Sequence, residues 1–312
     1  MINELQIVGG SVLTLFLMMA VGFILGKKRM LSNETLSQMS KVLLCIAVPC
    51  IMVDTFLAEK CNKETVQGLL IAGAALVGTY VLNMVLVQLV YRKAEPDDRG
   101  VLRFATIYGN TGFMGFPLIQ AALGDVGMLP TVVSLAVFTI SSWTHGQCLI
   151  GGRKGMSAKK AILNPGVLGS IISVVLFALR IKLPEPISDA VGFLGSLNTP
   201  LAMVIIGGQM AAVNFRELFG DRRVYTVSML KLIVVPVVTM LVLLPFGVDS
   251  VIYMAVVILS ACPVAGVTSL FSQLNGKNTS LAARLVTVTT IFCIITLPLM
   301  CALARVLLQS VA

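Results

Sequence analysis

Tyr108 to Ile119, reading YGNTGFMGFPLI, sets three glycines, an asparagine, a threonine and a proline inside a stretch otherwise apolar enough to cross a bilayer. Glycines permit backbone conformations that other residues resist, and Pro117 removes one backbone donor and clashes with a preceding carbonyl. Such a segment reads as a broken membrane helix. Backbone freed from its helical hydrogen bonds at membrane depth is tolerated only where protein buries it or where it lines a cavity, so a solute site is the default expectation. The N-terminus of a half-helix carries free N–H groups and partial positive charge, and can hold a carboxylate without a full basic charge nearby. Asn110 and Thr111, beside Gly109, add side-chain donors there, and Gly112, Gly115 and Pro117 are the candidate hinge. The competing explanation is that Asn and Thr only satisfy a kink against a neighbouring helix. Their clustering with Gly and Pro favours binding.

A second break, SACPVAG from Ser260 to Gly266, lies at a comparable place in the other half, with Ala261, Pro263 and Gly266 as its candidate contact and hinge residues. Two interrupted helices in corresponding positions of two halves point to a secondary transporter.

Three ionisable groups in or near apolar runs ask for an account. Lys231, in SMLKLIVVP, lies well inside its run, where an ammonium costs roughly 2.5–3.5 kcal/mol on insertion scales. It is expected to face the protein interior, either as an anion attractor or gating counter-charge or as a structural pair. Asp54 ends the second run and reads as interfacial. His145 could titrate near neutral pH, but a capping or interfacial role fits its place near the end of the fifth run, and Trp143 beside it reads as an interfacial anchor. Asn164-Pro165 opens the sixth run as a cap followed by a first-turn proline. Gly207 and Gly208 in IIGGQM, with Gly73 and Gly78, read as close helix packing. The sequence carries no HExxH, no phosphate loop ending in GK[ST] and no G-x-S-x-G, so no enzyme is expected. The cysteines at 45, 50, 61, 148, 262, 293 and 301 show no CxxC and have one His145 for company. Buried free thiols are expected, with no metal and no disulfide framework.

The elements that must position these residues follow from composition. With 57% hydrophobic and 12% charged residues and a mean hydropathy of +0.96, the chain is expected to be an all-α polytopic membrane protein. The net charge of +9 sits in short clusters between apolar runs, so topology explains it and a nucleic-acid partner is not expected. The first run is too long for a signal peptide and lacks a basic segment before it. Windows long enough to span the hydrocarbon fall at about 7–26, 37–58, 66–91, 101–122, 128–150, 163–180, 187–213, 224–244, 250–274 and 281–308. Alternate connections carry Lys27, Lys28, Arg29 and Lys41, then Arg92, Lys93, Arg99 and Arg103, then Arg153, Lys154, Lys159 and Lys160, then Arg216, Arg222 and Arg223, then Lys277 and Arg284. The positive-inside rule makes that side cytoplasmic and both termini extracytoplasmic, in a multi-pass protein of the cytoplasmic (inner) membrane. The loop at 151–166 divides the chain into five-helix repeats, 1–150 and 167–312. An odd number of spans per half makes them inverted, with helices 4 and 9 broken where they cross; Pro49 then pairs with Pro200, and Asn110 with Pro263.

With these residues in place, the chain resembles the auxin efflux carrier family, which includes the plant PIN-formed carriers and bacterial permeases associated with malate, malonate and similar acids. GNTGFMGFPLI is similar to the family's fourth-helix signature. SACPVAG, KLIVVP at Lys231–Pro236, AVP at Ala47–Pro49 and LNP at Leu163–Pro165 fall in the family's order. The resemblance covers essentially the whole chain. It implies a scaffold of helices 1, 2, 6 and 7, which often dimerises, and a mobile transport domain of helices 3–5 and 8–10. Asn110 falls on the family's crossover asparagine, Pro263 on the ninth-helix crossover proline and Asn164 on a sixth-helix asparagine associated with the site. Gly109 stands where plant carriers have proline, and the plant carriers' charged pair in the third helix is missing. The expectation is a secondary transporter of a small organic anion, a mono- or dicarboxylate, working by an elevator-like alternating access, and auxin itself is not the expected substrate. No cofactor is expected, and a coupling H+ or Na+ is left open. The alternatives are a sodium- or proton-coupled symporter of bile-acid-transporter-like architecture and a non-transporting membrane sensor.

Overall fold

A computed structural model describes residues 2–152, 163–211 and 218–311. Most of the expected linker, with Arg153, Lys154, Lys159 and Lys160, lies outside the described residues, as does Arg216. The described residues form an all-helical fold. Each expected apolar window is occupied by helix: α1 (Ile2–Lys27), α2 (Asn33–Val42) continuing into α3 (Val48–Ala58), α4 (Lys63–Val90), α5 (Pro96–Ile107) and α6 (Phe116–Leu123) flanking the first break, and α7 (Met128–Ser141) continuing into α8 (Gln147–Gly151). The second half holds α9 (Pro165–Ala178), α10 (Glu185–Ser196), α11 (Asn198–Ala211), α12 (Arg222–Met229) continuing into α13 (Val235–Leu243), α14 (Ser250–Ser260) and α15 (Val267–Leu274) flanking the second break, and α16 (Thr279–Val311). Among the described residues, six helical runs are long and apolar enough to cross a membrane, and shorter apolar helices lie at Leu13–Lys27, Pro165–Ala178 and Ser250–Ser260.

Short polar residues start these helices by accepting from amides that have no intrahelical partner. Ser32 accepts from Thr35 N, Asn62 from Thr65 N and Asp249 from Val251 N, at 3.1, 2.7 and 2.9 Å. Three continuous runs contain a π-helical turn that ends two residues before a proline: Leu43–Ala47 before Pro49, Thr111–Gly115 before Pro117 and Leu230–Val234 before Pro236. A proline ring crowds the carbonyl four residues back, and the wider turn relieves that clash while the helix continues.

The distribution of polarity is that of a protein solvated by lipid. Leu89, Phe193 and Phe246 are 73%, 75% and 74% exposed, whereas Asn83, Ser134, Asn198, Lys231 and Thr289 are buried. A chain in water would place these groups the other way round. The α1 helix packs along α11, α3 against α9 and α10, α4 against α7, and α16 against α12, α14 and α15. Between α1 and α11 the backbones touch. A Cβ on Gly207 would stand 1.9 Å from the carbonyl oxygen of Met19, and one on Gly22 would stand 2.2 Å from that of Val204. Small residues bring helices this close in lipid, where packing replaces the hydrophobic effect as the force between them.

At one end of the bundle a polar network joins elements far apart in sequence. Arg223 donates to Asp221 from Nε (3.0 Å) and Nη2 (2.7 Å) and is paired with Asp98 at the start of α5. Asn278 donates to the other Asp98 oxygen at 3.0 Å, and Lys277 pairs with Asp97 at 2.8 Å. The first half of the broken α5–α6 pair is thereby fastened to α12 and to the start of α16. The hydrogen bonds from Arg223 hold the Asp221 carboxyl below the usual range, against an opposing effect of burial.

Two outcomes are expected. Gly207→Val should lower the melting temperature in detergent, at a cost of about 1–3 kcal/mol for overpacking, whereas Gly78→Ala, on an exposed face with nothing within 4 Å of the new Cβ, should leave it unchanged or slightly raised. A carboxyl depressed by folding stabilises above its unfolded pKa, about 3.9 for Asp, and that contribution disappears as pH falls through the lower folded value. The Asp221 contribution should therefore be constant from pH 7 to 5 and be lost below about pH 4, so that Asp221→Asn shrinks the fall in melting temperature in that acid range.

Candidate functional site

Helix α5 ends at Ile107 and α14 at Ser260, and the two interruptions that follow meet as a pair of extended backbones. Gly109 and Val264 form an antiparallel bridge. Asn110 N–H donates to the Pro263 carbonyl at 2.7 Å, and Ala265 N–H donates to the Tyr108 carbonyl at 3.0 Å. Val264 N–H donates to Thr289 Oγ1 of α16 at 3.1 Å. Each break thus supplies the hydrogen bonds that the other lost, as backbone at membrane depth requires. Asn110 and Pro263 are thus in direct contact through their main chains.

Beyond the bridge, the Asn110 carbonyl accepts from Met114 N and Gly115 N at 3.1 and 3.0 Å. Its side-chain oxygen accepts from Phe113 N at 3.2 Å and so caps the new half-helix. Asn110 is not among the residues that line the cavity beside the bridge. Gly112 and Gly115 lie inside the π-helical turn, with Gly115 against Leu259 of α14, and Pro117 is buried in the first turn of α6. Ala261 and Pro263 are buried, and Gly266 is exposed just before α15.

Beside the bridge, α4, α7 and the π-helical turn before α13 border a small cavity whose polar lining is Thr79, Tyr80, Asn83, Thr111, Ser134, Lys231 and the Ser260 end of α14. The volume open to the centre of a water molecule is about 20 Å³, room for one or two waters. Lys231 is 2% exposed, and its ammonium donates to the Ser260 carbonyl at 3.0 Å. That carbonyl belongs to the last turn of α14, where the helix dipole is negative, so the cation sits on a favourable end. Gly109 makes room for it: a Cβ there would lie 3.0 Å from Nζ and 3.2 Å from Cε. The glycine that departs from the plant pattern is thus the residue over which the Lys231 side chain lies.

Asn164 behaves as its local sequence suggests. Its side chain accepts from Gly166 N at 2.9 Å and caps α9, and it is not among the residues that line the cavity. His145 departs from the interfacial expectation: its Nδ1 is 2.9 Å from the Tyr108 hydroxyl, which also donates to the Ser141 carbonyl at 3.0 Å. One hydroxyl proton cannot serve both partners, so Nδ1 carries the hydrogen in this arrangement. The imidazole therefore braces the first residue of the crossover. Trp143 likewise packs edge-on against Phe271, with centroids 4.9 Å apart, and Asp54 is exposed.

Of the residues expected to contact a solute, Lys231, Thr111 and Gly109 line this cavity and Asn110, Asn164, Ala261 and Pro263 do not, while Thr79, Asn83 and Ser134 line it without having been expected. The signal was present. Thr79 and Asn83 are four apart on an apolar helix, as polar residues must be to share one inward face. Among the described residues there is no group of three or more His, Cys, Asp or Glu side chains able to hold a metal. Cys262, Cys293 and Cys301 are buried free thiols.

The family profile described as membrane transport protein matches residues 7–158 and 152–301. An uncharacterized transporter of Methanothermobacter thermautotrophicus is 22% identical over 296 residues, covering 93% of this chain and 96% of its own. A candidate malonate transporter of Rhizobium meliloti is 20% identical over 300 residues, 92% of each chain. The uncharacterized transporter YfdV of Escherichia coli K12 is 21% identical over 249 residues, 75% of this chain and 77% of its own. A match along nearly the whole length, on a helical frame with broken helices facing a buried cation, leaves one assignment: this chain belongs to the membrane transport protein family, that of the auxin efflux carriers, and is a membrane transporter, not an enzyme.

Proposed function

We propose that this protein is a secondary carrier that moves a small organic anion, a mono- or dicarboxylate, across the cytoplasmic membrane by elevator-like alternating access. The observation that carries the reading is the bridge between Tyr108–Asn110 and Pro263–Ala265, which brings two helix ends together beside a buried ammonium. The anion's carboxylate is held by Asn110, Thr111 and half-helix amides, with Ala261 to Gly266 opposite. In this reading the chain crosses the membrane ten times as two inverted five-helix repeats, with both termini extracytoplasmic. Helices 1, 2, 6 and 7 form a scaffold through which two copies pair, and helices 3–5 and 8–10 move against it. The packing of α1 on α11 and of α3 on α9 and α10 supports the first group. The polar network from Asp98 to Arg223 and Asn278 supports the second, since it ties elements of both repeats into one unit. The malonate in the name of the Rhizobium relative supports the substrate class. Against sodium held by broken-helix carbonyls stands Lys231, whose ammonium already occupies the Ser260 carbonyl.

The test is uptake of labelled mono- and dicarboxylates into proteoliposomes under imposed potential, proton or sodium gradients. Asn110→Ala should reduce saturable uptake about 10- to 100-fold, the range for losing a hydrogen bond to a charged group, with the purified variant still folded by its melting transition. Uptake equal to wild type in that variant would remove Asn110 from the site.

A further inference from the structure

We infer that Lys231, Thr111 and Ser134 form a subsite for one carboxylate group of the transported anion, with Lys231 supplying the positive charge that a coupling cation would otherwise bring. This deepens the anion-carrier reading and rests on it. The hydroxyl oxygens of Thr111 and Ser134 are buried without a hydrogen-bond partner, on residues 2% and 0% exposed, and both residues line the cavity that Lys231 lines. Most other buried hydroxyls on the helices bond back to a carbonyl three or four residues before them, the unpartnered Thr296 and Tyr253 hydroxyls lying away from this cavity. Thr131 does so to Gly127 and Thr139 to Leu135, both at 2.8 Å, on either side of Ser134 in the same helix. Ser170, Ser228 and Thr239 follow the same rule. Two exceptions facing one cavity are costly for folding alone and fit groups kept for a ligand.

The ammonium points the same way. Among the described residues no carboxylate pairs with Lys231, and its hydrogen bond to Ser260 uses one of three N–H groups. A buried cation without a counter-ion is expensive in a low-dielectric interior, and an anionic ligand removes that cost. Chemistry selects among anions. Two hydroxyl donors and an ammonium around a space for one or two waters suit the two oxygens of a single carboxylate. Once paired, that carboxylate group and the lysine form a neutral unit, so holding the group needs no sodium. Gly109 is part of the device, because any side chain there would press on Nζ.

The experiment measures binding of a panel of mono- and dicarboxylates, including lactate and malonate, to the full chain in detergent, by calorimetry and ligand-induced thermal shift. It is run in sodium chloride and in choline chloride, with malonamide as the uncharged control. Wild type should bind at least one acid equally well in both salts and should not bind malonamide. Lys231→Met should weaken binding at least 100-fold without lowering the ligand-free melting temperature, because it removes an uncompensated charge. Ser134→Ala and Thr111→Val should each weaken binding about 5- to 20-fold, somewhat below the full range for hydrogen bonds to charged groups. Wild-type affinity in Lys231→Met and Ser134→Ala, together with loss of binding in Asn110→Ala, would overturn the subsite and leave the anion reading standing. A requirement for sodium in the wild type would overturn the role given to Lys231. Failure of wild type to bind any of the acids would overturn the subsite and the carrier reading together.

Discussion

Backbone N–H and C=O groups cannot be left unpaired in hydrocarbon, and this structure is arranged around the one place where that rule is under strain. Each broken helix, alone, would expose polar backbone at membrane depth. Here each supplies a partner to the other, since Asn110 N–H finds the Pro263 carbonyl and Ala265 N–H finds that of Tyr108. Two breaks are therefore cheaper than one. The same exchange fixes the relation between the two halves, since the bridge forms only if Gly109 and Val264 meet in antiparallel register. Supports follow from that requirement: Thr289 takes the amide of Val264, and His145 and Ser141 hold the hydroxyl of Tyr108.

Proline and the π-helical turn act as a second device on the same elements. A straight α-helix would direct each side chain at 100° from its neighbour and bring the proline ring against a carbonyl. The widened turn before Pro117 holds Thr111, and the one before Pro236 holds Lys231. Both residues line the cavity beside the bridge. A local accommodation of proline thus coincides with the places where polar side chains enter the interior, as is common for π-helical turns at functional sites.

Much of this was legible in the sequence because lipid simplifies the code. The apolar windows correspond to helices, and the two breaks lie where Gly, Asn and Pro interrupt them, since in a bilayer both signals have few competing explanations. The depth of Lys231 in its run also sufficed to place it indoors. Side-chain partners were less legible. Nothing local to SWTHG indicates that His145 meets Tyr108, thirty-seven positions earlier; that contact depends on how α5 and α7 approach. Ser134 was hidden for a related reason. A serine in an apolar helix normally bonds its own backbone, and only the packed structure reveals one that does not.

Two unpaired hydroxyls and an ammonium with no counter-ion form a local deficit that core packing could have avoided. Replacing buried charges by apolar groups of similar size is often neutral or stabilising, so stability alone does not explain Lys231. A purely structural lysine would be expected to find a carboxylate, as Lys277 finds Asp97 and Arg223 finds Asp98 at the end of the bundle. Within the interior the partner is instead a neutral carbonyl, a weaker companion than an anion. The Ser260 carbonyl can hold the ammonium when the site is empty and release it at little cost when a carboxylate arrives. A strong internal ion pair at this position would have made the empty carrier more stable and the loaded one harder to form.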